Sequence, residues 1–221
     1  MSKCEKCKSM HSKSNVDYSL INIYENEKFA KEIPSIWTDW YNRLNSKIMI
    51  IGQDWGPYSA MKKLNEKYLE NQTKGNWFKL IEDEKSLTKK QLTRYLVESS
   101  NGKINSINNI YITNAIMCAR HGNNYRGNNI NLKCSTLNCK EFLCRQIEIV
   151  KPKVLLTLGY YPLYSLSNIY NFKIEENLAK TIEKYPIIEI EDFVIIPLYH
   201  PVAQIRKERQ LEQYNRIWNY I

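Results

Sequence analysis

Four short apolar runs stand out along the chain: Lys47 to Ile51, Ile110 to Thr113, Val154 to Leu158 and Phe193 to Leu198. Each is rich in Ile, Val and Leu and continuous rather than alternating. That pattern suits strands buried on both faces of a parallel sheet. Between them, apolar positions recur at helical spacing. The segment from about Pro34 to Leu44 sets Trp37, Trp40, Tyr41 and Leu44 on one face, and Ser86 or Thr88 is placed to cap a helix running through Val97. A third helix, opened by Cys139, carries Phe142, Leu143, Ile147 and Val150 on one side, and Pro152 follows its end. Strands alternating with helices predict an α/β fold with an open, mainly parallel four-stranded sheet flanked by helices on both faces. No internal repeat or low-complexity linker breaks the pattern, and 221 residues suit one domain spanning 1–221.

The residues just after each run carry the functional information. Gly52-Gln53-Asp54-Trp55-Gly56 succeeds the first, Asn114 ends the second, Gly159 succeeds the third and Tyr199-His200-Pro201 the fourth. In open parallel sheets ligands bind at the carboxyl ends of the strands, so these punctuations point to one shared crevice. Gly52 and Gly56 bracket a tight turn that brings backbone close to a ligand. Asp54 within it either holds a water or stabilises a cation, or caps the next helix. The absence of a GxGxxG pattern excludes a dinucleotide fingerprint here. The Asn114 carboxamide offers donors and an acceptor on one flat group, the chemistry that reads a pyrimidine edge, or it satisfies loop backbone. His200 is placed to hydrogen-bond a developing anion, or is held structurally.

Charge and cysteine content sharpen this picture. The net charge of +9, from 32 basic and 23 acidic side chains, favours a polyanionic partner without establishing one. No stretch approaches the roughly 20 apolar residues of a membrane helix. The opening Met-Ser-Lys-Cys-Glu-Lys-Cys has no apolar core, so a cytosolic protein that does not engage a membrane is expected. Six cysteines in such a protein suggest metal binding or catalysis before disulfides. Cys4 and Cys7 form a CxxC pair, while Cys118 and Cys139 flank a loop; four such thiolates suit a [4Fe–4S] cluster or a zinc ion. Cys134 and Cys144 are spare in this reading. The flanked loop carries Arg120, His121, Arg126 and Lys133 among glycines and asparagines, and is either a DNA-backbone contact or a solvated segment.

Together these motifs resemble the uracil-DNA glycosylase superfamily, especially its iron–sulfur (family 4-like) branch. The resemblance runs through most of the chain in order. Cys4 and Cys7 match that branch's first two cluster ligands, and Tyr111-Ile112-Thr113-Asn114 with Cys118 is similar to its strand, base-reading asparagine and third ligand. The stretch from Cys139 to Gly159, with Gln146, Ile147 and Pro152, is similar to the helix and strand after the fourth ligand, and register from Gln146 favours Cys139 over Cys134. His200-Pro201 matches the second active-site motif. The first motif differs: Gly52-Gln53-Asp54 resembles the conventional uracil-DNA glycosylase sequence rather than the branch's Gly-Glu-Ala-Pro-Gly. His-Pro-Val stands for His-Pro-Ser, and Ala119-Arg120-His121 stands for Arg-Pro-Pro.

The resemblance implies a DNA-repair glycosylase that flips a damaged base from DNA into a pocket, acting as a monomer. Asp54 and His200 would be its catalytic residues. Asp54 would steady the sugar cation and orient water, and His200 would bind O2 of the departing uracilate. Gly52, Gln53 and Asn114 would bind substrate, and Phe78, or else Trp77, Trp55 or Tyr58, would stack on the base. Cys4, Cys7, Cys118 and Cys139 would hold the [4Fe–4S] cluster, zinc being the alternative, and would tie segment 1–15 to the domain. The competing readings are a catalytically silent nucleic-acid-binding homologue and a small-molecule α/β enzyme with structural zinc.

Overall fold

The computed structural model describes residues 6, 20–21, 43–60, 62–63, 66, 86–105, 109–120 and 132–221. All four expected strands form, each within a residue of its apolar run: β2 (Ile48–Gly52), β3 (Tyr111–Asn114), β5 (Val154–Leu158) and β7 (Phe193–Leu198). A two-residue strand β1 (Leu20–Ile21) pairs antiparallel with β4 (Ala119–Arg120), away from the main sheet. The main sheet has one strand more than the apolar runs announce. This is β6 (Ile188–Ile190), which pairs antiparallel with β7 at the edge. With three residues and one polar position it lacks the apolar run that marks its neighbours.

The sheet order is β3-β2-β5-β7-β6, parallel except at β6. Because β3 lies to one side of β2 and β5 to the other, the strand order reverses between β2 and β5. Such a reversal opens a crevice at the carboxyl ends of the two strands.

Helices cover both faces: α1 (Leu87–Ser99), α2 (Leu132–Val150), α3 (Tyr160–Tyr170), α4 (Leu178–Lys184) and α5 (Lys207–Asn215), the last running into a 3-10 turn at Arg216–Asn219. Alternation along the strands sorts the core into two layers. Ile48, Ile50, Ile112, Leu156, Leu158, Ile196 and Leu198 pack with Leu92 and Leu96 of α1 and Tyr214 of α5. Met49, Ile51, Tyr111, Leu155 and Ile195 pack against Leu143 and Ile147 of α2 and Leu163 and Leu166 of α3. Each fully buried Leu or Ile contributes about 1.5–3 kcal/mol relative to exposure. Trp218 donates from its indole N–H to Ser99 Oγ at 2.9 Å, joining the end of α1 to the 3-10 turn.

One helix boundary resolves a choice left by the sequence, and another differs from expectation. Ser86, not Thr88, caps α1, its Oγ accepting from Lys89 N at 3.4 Å. Helix α2 begins at Leu132, so Cys139 lies inside it rather than opening it. The buried stripe of α2 runs through Ser135, Thr136, Cys139, Leu143, Gln146, Ile147 and Val150. Its first members are small and polar, which hides the helical period from a hydropathy reading. The helix ends at Lys151, whose φ of 50° is left-handed, with Pro152 beyond it. The helix expected from Pro34 lies outside the described residues except at its end, where Leu44 is an exposed turn residue.

Candidate active site

Strand register sets the site. Asn114 pairs with Gly52 across β3 and β2, Thr157 with Ile51 across β5 and β2, and Leu158 with Leu198 across β5 and β7. The strands therefore end at one level, and Gln53-Asp54, Asn114, Gly159 and Tyr199-His200 share the carboxyl edge. Two further backbone bonds fasten that edge: Ala115 N donates to Gly52 O at 2.8 Å and Gly159 N to Leu198 O at 2.9 Å.

Asn114 is buried, at 6% exposure, and its Nδ2 has no hydrogen-bond partner among the described residues. Its side chain lies on the α1 and α5 face of the sheet, directly over Gly52. A Cβ built on Gly52 would overlap Asn114 Oδ1, so only glycine leaves the carboxamide in place. Leaving a buried amide unpaired costs about 1–3 kcal/mol. A ligand carbonyl would remove that cost. Behind Asn114, Gln146 Oε1 accepts from Tyr111 Oη at 3.0 Å and from Thr113 Oγ1 at 2.8 Å, and its Nε2 donates to Phe142 O at 3.1 Å. This bridge from α2 holds β3 from the opposite face. Its signal in the sequence is a glutamine at a core position of an apolar helical stripe.

Asp54 is engaged on both oxygens. Oδ1 accepts from Gly56 N at 2.6 Å and from Arg120 Nε at 3.1 Å, and Oδ2 accepts from Gln53 Nε2 at 2.8 Å. The Asp54 and Arg120 side chains are 3% and 13% exposed. Gly56, at φ 83°, supplies the left-handed step that turns its N–H back onto the carboxylate. Gln53 thus spends its side-chain amide on Asp54. Arg120, read from sequence as part of a loop that either contacts DNA backbone or is solvated, forms a part-buried ion pair across the turn. Nothing in the sequence marks this pairing, because the two residues lie 66 positions apart.

His200 closes the edge on the α5 side. Gln213 Oε1 accepts from Tyr199 N at 3.3 Å and Gln210 Nε2 donates to His200 O at 3.4 Å, fixing the loop to that helix. Val202 N donates to His200 Nδ1 at 3.4 Å. A neutral imidazole whose Nδ1 accepts carries its proton on Nε2. The residue as a whole is exposed, yet enough protein surrounds the ring for desolvation to lower its pKa from the ordinary histidine value. The neutral form is therefore favoured near pH 7.

Among the stacking candidates, Trp55 is not at the surface. It is 6% exposed, and its Nε1 donates to Met117 O at 3.0 Å, which makes it a strut between the first-motif turn and the segment after β3. Tyr58 is half-buried, and Phe78 and Trp77 lie outside the described residues.

The same holds for Cys4 and Cys7, whereas Cys118 and Cys139 are buried at 7% and 3%. No group of three or more metal-ligating side chains forms among the described residues, which include only these two of the four expected ligands. Lys6, between Cys4 and Cys7 in sequence, is docked on α2: Asn138 Nδ2, next to Cys139, donates to Lys6 O at 3.1 Å, and Lys6 Nζ pairs with Glu141 at 2.9 Å. Leu20, Ile116 and Cys118 form a small apolar cluster with Leu132 against it. Cys144 donates to Glu148 Oε1 at 3.6 Å, and burial, then the Glu148 charge, push its thiol up, away from the thiolate that a metal needs.

Known proteins resemble this chain at the level of family and of single relatives. The family model described as the uracil DNA glycosylase superfamily matches residues 38–221. A type-4 uracil-DNA glycosylase from Saccharolobus solfataricus is 32% identical over 98 residues, covering 43% of this chain and 43% of that relative. That alignment spans less than half the relative's length.

Proposed function

The chain belongs to the uracil-DNA glycosylase superfamily, and from that membership we propose that it hydrolyses the N-glycosidic bond of uracil, or a related deaminated base, in DNA. The observation that carries this reading is the buried Asn114 amide, unpaired and set over a glycine at the carboxyl edge. Uracil supplies what it lacks: O4 accepts from Nδ2, while N3–H donates to Oδ1. Cytosine presents the reverse pattern, at a cost of about 1–3 kcal/mol for each polar group left unpaired.

In the reaction, the bond from C1′ to N1 breaks with its electron pair passing to the base, and the sugar becomes an oxocarbenium-like cation. The neutral His200 donates its Nε2 proton as a hydrogen bond to O2, where the uracilate charge gathers. One such preorganised contact contributes about 10²–10³ in rate. Asp54 orients the water that adds to C1′, and the water's proton ends on the departed base. A carboxylate offers about four acceptor positions; among the described residues three are taken, and the one left on Oδ2 suffices for a single water. The adjacent Arg120 offsets much of the charge that Asp54 would present to the cation, so water orientation is its main part. Gly52 gives Asn114 its place, Gln53 steadies Asp54, and Phe78 is the proposed stacking ring.

The fit of a [4Fe–4S] cluster rests on Cys118 and Cys139, both buried, and on Lys6, the one described residue of the CxxC stretch, which is docked on the helix of Cys139. Cys4, Cys7, Cys118 and Cys139 would hold it. Bound there, the cluster would cross-link the N-terminal segment to the domain. Membership of a DNA-repair family and the +9 charge support DNA as partner. No helix among the described residues is long and apolar enough to cross a membrane. We propose a cytosolic monomer whose single domain includes segment 1–15.

The test is single-turnover incubation with oligonucleotides holding uracil, hypoxanthine, xanthine or a thymine mismatch. Release of uracil is expected, and no release of any base at stoichiometric enzyme would overturn the reading.

A further inference from the structure

Arg120 reaches Asp54 by a route that fixes its own backbone first. Its N–H donates to Gly56 O at 2.9 Å, it bridges in parallel to Pro57, and it pairs antiparallel with Leu20. The guanidinium is then held where Nε donates to Asp54 Oδ1 at 3.1 Å. Gly56 N grips the same oxygen and Gln53 Nε2 the other, so the carboxylate is fixed from both ends. Arginine suits this task because its donors lie in one plane and its charge is permanent, whereas a lysine ammonium is a point charge on a flexible stem. Apolar residues of similar volume often serve stability as well as a buried ion pair. A phosphate contact is also a poor account of a side chain 13% exposed.

We infer that Arg120 is a positioning residue for the water-directing carboxylate: by occupying Oδ1 of Asp54 it leaves the open acceptor position on Oδ2. This rests on the proposed glycosylase reaction. In this reading Arg120 contacts neither the base nor the sugar, and its part in the reaction runs through Asp54. Its contribution therefore exists only while Asp54 is a carboxylate.

A double-mutant cycle isolates that dependence. Single-turnover uracil release is measured for the wild type, Arg120→Met, Arg120→Lys, Asp54→Asn and the Arg120→Met/Asp54→Asn pair, with affinity for an uncleavable duplex measured alongside. Arg120→Met should slow cleavage by about 10²-fold, as a misplaced reacting group does, without weakening duplex binding. Arg120→Lys should recover part of the rate, and it also serves if the methionine variant does not fold. In the Asp54→Asn background the Arg120 substitution should cost nothing further. Multiplying losses, weakened duplex binding, or wild-type cleavage by Asp54→Asn would overturn the inference while uracil release by the wild type stands. A crystal structure of the Arg120 variant judges it even if the wild type releases no base. Asp54 should leave its bonds to Gly56 N and Gln53 Nε2; a carboxylate unchanged in place overturns the inference.

Discussion

Asn114 lies so close over Gly52 that no side chain fits between them. The two residues are register partners at the ends of β3 and β2, so the sheet itself sets this spacing. Gly52→Ala should therefore displace the carboxamide rather than fill space. Overpacking of this kind costs about 1–3 kcal/mol. Uracil release should fall with it, while duplex affinity stays near wild type. Urea melts paired with single-turnover rates check this, and an alanine variant with wild-type excision would mean that Asn114 does not read the base.

Asn114→Asp tests the reading from the other side. A carboxylate has no donor for O4 but accepts from the cytosine amino group. Preference should shift from uracil towards cytosine, with total activity reduced. Cleavage of matched uracil and cytosine oligonucleotides is the measurement, and an unchanged preference with only a slower rate would contradict it.

His200 gives a pH signature. Desolvation lowers its folded pKa. Between that value and the ordinary one near 6.5 the unfolded chain binds the proton and the folded chain does not. The stability linked to the neutral ring is thus complete above the ordinary value and is lost as pH falls through the lowered one. The residue is exposed, so this stability term is small and activity carries the signal. Protonation would place an N–H on Nδ1 against the Val202 N–H it now accepts and turn the ring, so uracil release should persist below pH 6.5 and decline only at more acid pH, in step with the His200 ring titration followed by NMR. His200→Ala should lose about 10²–10³ in rate and that particular limb of the profile. A limb kept intact by the alanine variant would assign it to another group.

Salt dependence separates the basic residues of the region after β3. Each phosphate contact removed flattens the slope of log affinity against log salt by about 0.9 on duplex DNA. Neutralising Arg126 and Lys133 should flatten it in this way, and Arg120→Met should not. Titrations from low to moderate salt with a fluorescent duplex decide it; an unaltered slope in the Arg126 and Lys133 variants would remove both from the interface.

The cysteines make a stoichiometric prediction. Protein purified without chelator should be brown, absorb in the visible and hold four irons per chain. Cys139→Ser should lower iron content and Cys144→Ser should not, since the Cys144 thiol is held protonated beside Glu148. Colourless protein containing zinc would select the alternative metal.

The four central strands and their order along the chain were legible in the sequence because each is a continuous apolar run. The edge strand at Ile188–Ile190 was not, being too short to carry a period. The carboxyl-edge placement of Asp54, Asn114 and His200 was readable from the polar residues that end each run. The contacts that brace them were not, since the Asp54–Arg120 pair and the Gln146–Thr113 bond beside Asn114 join residues 66 and 33 positions apart through tertiary packing alone. The setting of Trp55, one of the lesser candidates for a stacking ring, was hidden for a related reason: its indole N–H donates to Met117 O, 62 positions away.

Arg120 is also a junction in time. Its backbone joins Leu20, Gly56 and Pro57, so three pieces of chain far apart in sequence must converge before it is held. Contacts of such long range form slowly, because loop-closure entropy is spent before they stabilise anything. The junction sits outside the five-stranded sheet, in the two-stranded sheet formed by the two-residue strands β1 and β4. The Arg120 amide should accordingly exchange its hydrogen through a local opening, well before those of Ile50 and Leu156 in the centre of the sheet. Protein caught in that opened state would keep its core and its secondary structure while Asp54 swung out of place. Folded and active would then be separate populations, divided at a single guanidinium.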